Sequence, residues 1–595
     1  MKKIIYLLLF PILLVVPNLL LAQAETFVFE GNNFRWHQST NGSIFFNEEG
    51  QSVGLEVPIN EENHSIFGSA FWIGGVNQND ELRISFRRFC QSDAENCTEN
   101  WGPLKVDNSI STTEDISEYN KIWFVTNQQI NLHNAYFDCV SNPNCDEVLE
   151  FPSYEIPEDF SSWPAEGEEG LAENLAPYVD RDGNGTYNPE GGDYPAICGD
   201  FSSYAIWNDL GTESTGQDGS EIGLEVHSSI YGYDSVEGSE FNTLFVQYKI
   251  INRRDQLLSN TYAGFWNDFE LGNFSDDQVA TDVGRSMIYV YNGDSFDEAS
   301  IQGPGYGSDI AAMGMKVLSG PLAPSNGADD SPEYEEFYGN ETSGWADGVI
   351  DNERLGLFGS LAHENASGPV AMQDPQVGIE YYNYMRSIWR DGQPMIHGGI
   401  GYSPGGPGLF TNYYLPGESD PLFAGTNGTD PNYPLEGGWS AENEGFPSAD
   451  KRMLGSSGPF DFAPGDVQYI DLAYIFARES FDDEETVIET LQRFADEVEG
   501  MQCDPLPAIV LSTDRGEERK PLKVFPNPSS GSISFEITEN KAQLTLIDIT
   551  GKVMRQKILN AGLQRIDVSD LADGIYIIQI RADQSVYYGK VVVEK

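Results

Sequence analysis

Apolar and polar residues alternate in short runs along most of the chain, and glycine, asparagine, aspartate, serine and proline separate the runs. Clear examples lie at residues 81–86, 244–251, 287–291 and 467–476, which are rich in β-branched and aromatic side chains. A period of two puts alternate side chains on opposite faces of a strand. Many short strands between turn residues are typical of antiparallel sandwiches. We therefore predict a mainly β protein built from β-sandwich domains.

One segment, residues 482–501, has the spacing of an amphipathic helix instead. Its apolar stripe consists of Val487, Ile488, Leu491, Phe494, Ala495 and Val498. Its N-terminal end carries Asp482, Asp483, Glu484 and Glu485, where the helix dipole favours negative charge. We expect this helix to pack on a sheet, with its acidic start facing solvent.

The first 24 residues have the pattern of a cleaved signal peptide. Lys2 and Lys3 precede an apolar run at residues 4–21, and Ala22-Gln23-Ala24 supplies small residues before the expected cleavage point. An uncleaved membrane anchor is the alternative, since the run is nearly long enough to span a bilayer. No later segment is long and apolar enough to predict a transmembrane span.

The charge balance narrows the classes of partner. The chain has 33 Lys and Arg against 94 Asp and Glu, a net charge of −61. Phosphates would be repelled by such a chain, which argues against a nucleic-acid partner. We expect most carboxylates to form a solvated surface, while some collect divalent cations.

Cysteine usage agrees with an exported protein. An even number of cysteines after the leader favours disulfides, for which 15 connectivities are possible. The short spacings 90/97 and 139/145 suggest two local links, which would leave the remaining two cysteines as a pair by elimination. A zinc site is the competing interpretation, but the sequence has no Cys-x-x-Cys. The six candidates are Cys90, Cys97, Cys139, Cys145, Cys198 and Cys503.

The composition changes after Cys503. Residues 504–520 are polar and read as a linker, and residues 521–595 hold nine Lys and Arg against eight Asp and Glu. This last segment does not share the acidity of the rest. We therefore expect four parts, namely a signal peptide at 1–24, a β-rich region of two or more packed sub-domains at 25–503, the linker, and a separate small domain at 521–595.

The motifs of residues 521–595 appear in a fixed order: Pro-Asn-Pro at 526–528, strand-like runs at 533–535, 544–553 and 571–578, and Gly-Lys-Val-Val-Val at 589–593. This pattern resembles the type A sorting domain of the type IX secretion system of Bacteroidetes. A terminal immunoglobulin-like module that binds a ligand is the alternative. The residues that carry the resemblance are Pro526, Asn527, Pro528, Gly531, Gly551, Gly574, Tyr576, Gly589 and Lys590.

The resemblance implies a small immunoglobulin-like β-sandwich, and export by the Sec pathway to the periplasm and then by the type IX machinery. It also implies release, or attachment to outer-membrane lipopolysaccharide. Residues 25–503 resemble a family of such cargo proteins to which no activity is assigned. That second resemblance rests on short motifs at 71–75, 163–165, 175–189, 192–195, 207–209, 223–226, 303–306, 389–392, 398–402, 456–460 and 464–465.

The sharpest local motif is Asp-Arg-Asp-Gly-Asn-Gly-Thr at residues 180–186. Oxygen ligands at alternate positions before a glycine are what a calcium loop requires. Gly191 stands where an EF-hand has its glutamate, so closure would come from a later acid. A turn without metal is the alternative. The candidate ligands are Asp180, Asp182, Asn184 and the Thr186 carbonyl, closed by Glu190 or Asp193.

A second acidic group comprises Asp268, Glu270, Asp276, Asp277 and Asp282. So many carboxylates on one connection repel each other unless they are solvated or bridged by a cation. Calcium and a solvated loop are therefore both open, and a carboxylate pair for glycoside hydrolysis is a further possibility. Metalloprotease, serine-hydrolase and P-loop motifs are absent from the sequence, so no catalytic residue is assigned. We expect a calcium-stabilised protein that acts in adhesion or binds an extracellular ligand, with a secreted glycan or peptide hydrolase as the alternative.

Overall fold

The chain folds mainly into β-strands, as the alternating pattern predicts. The computed structural model describes residues 24–87, 99–107, 116–168, 170–210, 220–330, 343–365, 367–405, 408–420, 438–480, 486–503, 506, 509–511, 518–537, 542–548, 553–569, 571–572, 574–582 and 585–595. Two compact units are formed. The larger comprises residues up to Pro177 and Pro195–Ala508, and the smaller comprises Tyr178–Tyr194 and Ile509–Lys595.

In chain order the first strands are β1 (Thr26–Gly31), β2 (Phe34–Ser39), β3 (Phe46–Asn47), β4 (Ser52–Val53), β5 (Leu55–Glu56), β6 (His64–Val76), β7 (Leu82–Ser85), β8 (Asn100–Trp101), β9 (Trp123–Thr126), β10 (Tyr178–Asp180), β11 (Tyr194–Pro195), β12 (Phe201–Asn208), β13 (Leu224–Gly232), β14 (Thr243–Asn252) and β15 (Leu258–Phe269). They continue as β16 (Asp277–Asp282), β17 (Met287–Asn292), β18 (Asp309–Ser319), β19 (Gly359–His363), β20 (Arg452–Phe462), β21 (Val467–Ser480), β22 (Ile509–Leu511), β23 (Glu518–Pro521), β24 (Ser532–Ile537), β25 (Ala542–Asp548), β26 (Val553–Leu559), β27 (Gly562–Asp567), β28 (Gly574–Ala582) and β29 (Ser585–Val593). The α-helices are α1 (Asn127–Ser141), α2 (Glu147–Glu150), α3 (Glu158–Ser161), α4 (Gly238–Phe241), α5 (Gly378–Tyr384), α6 (Ala441–Glu444) and α7 (Val487–Glu497).

Two large sheets form the body of the larger unit. One has the order β1-β2-β5-β6-β15-β20-β19, with β7 paired to β6. The other has the order β16-β17-β18-β21-β14-β13-β12-β8, with β9 paired to β12. Side chains from both sheets share one core, in which the rings of Phe71 on β6 and Tyr248 on β14 lie 4.9 Å apart. Burying one such side chain contributes about 1.5–3 kcal/mol. A core shared between two sheets is the arrangement of the predicted β-sandwich.

The predicted helix near 482–501 is confirmed as α7. Thr486 caps it, and the side chains of Thr486 and Glu489 each accept from the other's backbone nitrogen, which satisfies two otherwise unpaired donors. The helix packs against β18 and β21 through Leu491 and Phe494. Residues 481–485, which hold the predicted acidic start, lie outside the described residues.

Helix α1 is longer than α7, but the hydrophobic pattern of the sequence does not predict it. Its sequence is polar and only Ile130, His133, Phe137 and Cys139 are buried, so its apolar stripe is too weak to show a helical period. A capping box between Thr126 and Gln129 starts the helix. Local capping, rather than amphipathic spacing, is therefore the signal that could have revealed it.

Two of the predicted disulfides are present. Cys139 pairs with Cys145 and Cys198 pairs with Cys503, which confirms these two pairs. Cys90 and Cys97 lie outside the described residues. Among the described residues, no helix has the length and apolar character needed to cross a membrane.

In the smaller unit, a five-stranded sheet of order β23-β29-β28-β25-β26 accompanies the two-stranded pair β24-β27. Alternate residues of β24 are buried, and Ile533 and Phe535 join a core with Leu544, Leu546 and Ile578. The finer immunoglobulin-like topology stays a prediction. Residues of the predicted linker form β22 and β23, and β22 pairs in parallel with β10, which opens the predicted calcium loop.

Candidate metal centres and sorting domain

The predicted calcium loop belongs to the smaller unit and begins at the end of β10. Asp180 accepts hydrogen bonds from the backbone nitrogens of Gly183 and Gly185, the second at 2.9 Å. Gly185 has a φ of +83°, a left-handed value that a glycine adopts without strain. The glycine at the sixth position therefore makes the sharp turn that the motif predicts.

Three carboxylates converge in this loop. Oxygen atoms of Asp180, Asp182 and Asp193 all lie within 4.8 Å of one another. Asp180 and Asp193 are buried and Asp182 is exposed. Asp193 also accepts hydrogen bonds from the backbone nitrogens of Arg181 at 2.7 Å and Asn188 at 2.8 Å. Burial raises the pKa of Asp193, and these two donors oppose the shift.

Of the two acids predicted to close the loop, Asp193 joins the cluster. Glu190 is exposed on a 3₁₀ turn, Pro189–Gly191, and is not among the converging carboxylates. Asn184 donates from its amide to Asp182 at 2.8 Å and accepts from the Thr186 nitrogen at 2.7 Å. The oxygen-only donor set fits a hard cation such as Ca²⁺, which takes six to eight oxygens.

The structure divides the second acidic group among three places. Asp268 and Glu270 come together with Asp450, a residue that the sequence analysis did not select. Asp277 accepts a hydrogen bond from the Leu271 nitrogen at 3.0 Å. The neighbouring residue, Asp276, has a pKa that burial and the charge of Asp297 raise to about 7. The carboxylate of Asp282 contacts Arg285 at 3.0 Å and Gln492 at 2.9 Å instead.

Strand register explains the group formed by Asp268, Glu270 and Asp450, which we call the sheet cluster. Asp268 on β15 stands opposite Arg452 on β20. Residues two positions further along antiparallel strands share the same face, so Glu270 and Asp450 come together beyond the end of the ladder. The Arg452 guanidinium lies 3.0 Å from Asp268 and 2.8 Å from Asp450.

The three residues of the sheet cluster differ in their burial. Asp268 is fully buried, Glu270 is 6% exposed, and the Asp450 side chain is 34% exposed. Burial raises the pKa of Asp268 to about 7, although Arg452 opposes the shift. Burial and the neighbouring Asp268 raise the pKa of Glu270 to about 9. The sequence signal for Asp450 is the Asp-x-Arg spacing at 450–452, and this spacing becomes informative only once β20 is paired with β15.

An open cavity of about 510 Å³ lies elsewhere in the larger unit. Tyr289 and Tyr291 of β17 line it, together with Glu442 of α6 and with Glu418. The Tyr291 hydroxyl donates to the Glu442 carboxylate at 2.5 Å. The cavity therefore combines aromatic rings with hydrogen-bonding groups, which is the composition of a site for a polar ligand.

The predicted sorting residues lie in the smaller unit. Pro526, Asn527 and Pro528 precede β24, and the Asn527 side chain accepts from the Val592 nitrogen at 2.7 Å. Gly531 immediately precedes β24, and Gly551 lies outside the described residues. Gly574 begins β28, where Tyr576 is buried, and Gly589 and Lys590 lie on β29.

Residues 523–594 match the family described as the secretion system C-terminal sorting domain. This match confirms the predicted sorting domain and makes the chain a cargo protein of the type IX secretion system. Its destination is the cell surface or the extracellular space. The resemblance of residues 25–503 to one cargo family stays a prediction.

Beyond this domain, the similarity of the chain to known proteins is weak. No curated protein matches the sequence. Among solved structures, a polysaccharide lyase (BACCELL_00875) is similar at 7% identity with a TM-score of 0.17, over 62% of this chain and 34% of that protein. The chain thus spans about a third of that protein's length, and the likeness is too weak to assign a fold or an activity.

Proposed function

We propose that the exported chain is a calcium-stabilised, non-enzymatic protein that binds an extracellular ligand or mediates adhesion. The observation that carries the binding role is the cavity of about 510 Å³ beside β17. Tyr289 and Tyr291 present ring surface to it, and Glu418 and Glu442 supply acceptors. Aromatic faces with nearby hydrogen-bonding groups suit a polar ligand such as a glycan.

The calcium loop supports the stability part of the proposal. Asp180 and Asp193 are buried carboxylates in one short loop, and charges of the same sign so close together repel each other. A bound Ca²⁺ would offset that repulsion and would stabilise the folded chain by mass action. Such a site would stabilise an exported protein at the outer cell surface or in the extracellular space. Outer-membrane lipopolysaccharide is the proposed anchor after sorting.

A glycan array followed by calorimetry on the full-length chain tests the binding role. Glu442→Gln keeps an oxygen that can accept from Tyr291 but removes a charge from the cavity, and it should weaken binding by about tenfold or more, the loss typical of a charged hydrogen bond. Glu444→Gln, on the same short helix but outside the cavity lining, is the matched control and should bind like the parent. Equal affinity of both variants would exclude this cavity as the binding site.

The same cavity supplies the observation that favours a secreted hydrolase. It is lined by Asp282, Glu418 and Glu442, and glycoside hydrolysis needs two acids about 5–9.5 Å apart. Against this, Asp282 is paired with Arg285 and Glu442 with the Tyr291 hydroxyl. A broad glycan and peptide hydrolase screen separates the two functions, because turnover that disappears in Glu442→Gln supports the hydrolase and rejects the non-enzymatic proposal.

A further inference from the structure

We propose that the sheet cluster of Asp268, Glu270 and Asp450 binds a divalent cation in the larger unit. This site is separate from the loop site of the smaller unit, and it does not depend on the binding role proposed above. The carboxylate oxygens of the three residues lie within 4.8 Å of one another. That convergence follows from the pairing of β15 with β20, which holds Asp268 on a strand and brings together Glu270, one residue after β15, and Asp450, two residues before β20.

Two buried carboxylate oxygens point to a missing ligand. Oδ2 of Asp268 and Oε2 of Glu270 are inaccessible to solvent and have no hydrogen-bond partner among the described residues. Leaving a charged oxygen buried without a partner is costly, and folded proteins rarely tolerate it. A cation at the point of convergence would coordinate both atoms.

The local charge also matches a divalent cation. Carboxylates bind a metal ion in the ionised form, in which the three residues carry a charge of −3, and the Arg452 guanidinium adds +1, which leaves −2. Arg452 contacts Asp268 and Asp450, while Glu270 has no basic partner within salt-bridge distance among the described residues. One ion of charge +2 would therefore neutralise the group.

The carboxylate oxygen donors indicate which class of ion the sheet cluster would bind. All three side chains offer carboxylate oxygen and none offers nitrogen or sulfur, which favours hard ions such as Ca²⁺ or Mg²⁺. Three side chains alone provide fewer ligands than Ca²⁺ usually takes unless they bind through both oxygens, so water would complete the shell. Asp450 is the partly exposed member, and an ion would reach the site from its side.

Ion counting on the full-length chain tests the proposal. The chain is stripped with EDTA, equilibrated separately with Ca²⁺ and with Mg²⁺, and the bound ions per chain are measured by mass spectrometry. In the Asp182→Asn background, which weakens the loop site, Glu270→Gln should remove one ion per chain. Asp450→Asn, with its more exposed side chain, should do the same if Glu270→Gln does not fold. An unchanged ion count in both variants would overturn the proposal, and whichever ion saturates the site identifies its occupant.

Thermal melting gives a second readout. Without cations, Glu270→Gln should melt close to the parent, because glutamine keeps the size and shape of the side chain. With the cation present the parent should gain stability and this variant should not, so the parent should then melt higher. Asp282→Asn is the matched control, since that buried acid is already paired with Arg285 and should shift melting equally in both conditions. A shift of Glu270→Gln that is the same in both conditions would mean that the cation does not bind at Glu270, and would reject the site.

Discussion

The Nε atom of Arg452 lies 3.0 Å from the carboxylate of Asp268, and the two residues face each other directly across β20 and β15. Both side chains are buried. Removing one partner of a buried pair leaves the other charge without compensation, which costs about 3–5 kcal/mol. This contact therefore makes Arg452 a residue on which the stability of the larger unit depends.

We predict that Arg452→Met lowers the free energy of unfolding by about 3–5 kcal/mol. Arg493→Met is the control, because the Arg493–Glu497 pair lies on the exposed side of α7, with exposed side-chain fractions of 44% and 46%, and should contribute less than about 1 kcal/mol. Urea unfolding of both variants measures the difference. The double variant Asp268→Asn/Arg452→Met should recover part of the loss, and a loss equal to that of Arg493→Met would show that the Asp268–Arg452 pair is not important for stability.

The sequence predicts those strands and helices whose hydrophobic pattern is set by their own residues. It predicts poorly a site whose residues come together only through the pairing of distant strands. The alternation of β14 and β21 and the stripe of α7 are visible in the sequence because each is set by its own residues. Asp450 is different, since it approaches Glu270 only through the register of β20 with β15. Asp282, which lies near Asp268 in the sequence, contacts Arg285 because β16 belongs to the other large sheet.

The predicted calcium loop shows the same difference between local and long-range signals. Asp180, Asp182 and Gly185 are identified by their spacing, because the loop geometry that they impose is local. The choice between Glu190 and Asp193 depends on where the chain returns after the 3₁₀ turn, and spacing alone leaves it open. In the structure Asp193 joins the converging carboxylates and Glu190 does not, so Asp193 is the closing ligand that we propose.

We predict that chelation lowers the melting temperature of the full-length chain, and that Asp193→Asn reduces this dependence. At a free Ca²⁺ concentration one hundred times the dissociation constant, one bound ion contributes about 2.7 kcal/mol. Glu190→Gln, in the same loop but outside the converging carboxylates, should respond to chelation like the parent. Differential scanning calorimetry with Ca²⁺ and with EDTA provides the comparison. An unchanged melting temperature of the parent in EDTA would argue against calcium as a structural ion.

A buried histidine should make the larger unit sensitive to acid. His227 lies between the Tyr204 hydroxyl at 2.5 Å and the Glu225 carboxylate at 2.9 Å. Burial and the nearby Lys249 lower its pKa from 6.5 to about 4, against the opposing effect of Glu225. The unfolded chain therefore binds a proton near pH 6.5 that the folded chain does not bind until about pH 4. The contribution of neutral His227 to the free energy of unfolding is therefore complete above pH 6.5, and it is lost as the pH falls toward 4.

We predict that His227→Gln flattens this loss. The variant should be less stable than the parent at pH 7.5, where it gives up two buried hydrogen bonds. On acidification to pH 4.5 the difference should shrink by about 2–3 kcal/mol, because one pKa unit corresponds to about 1.4 kcal/mol. Urea unfolding at the two pH values measures the change. A difference that widens in acid would mean that Glu225 holds His227 protonated in the folded chain.

Deletion of residues 521–595 should block passage across the outer membrane. The match at residues 523–594 covers nearly all of this segment, so the truncated chain loses the address read by the type IX machinery. We expect it to accumulate in the periplasm, while the parent reaches the surface or the medium. Cell fractionation and immunoblotting measure the distribution. Normal release of the truncated chain would contradict the sorting assignment.

Two controls separate loss of sorting from loss of folding. The truncated chain keeps Cys198 and Cys503, so a mobility shift on reduction in the periplasmic fraction would show that this long-range disulfide has formed. Residues 521–595 attached to an unrelated periplasmic reporter should carry it to the outside, because the core of the smaller unit's β-strands is drawn from within this segment. Export of the reporter together with retention of the truncated chain would show that the segment is both necessary and sufficient. A reporter that remains in the periplasm would mean that the machinery also requires residues upstream, among them Tyr178–Tyr194, which group with the same unit.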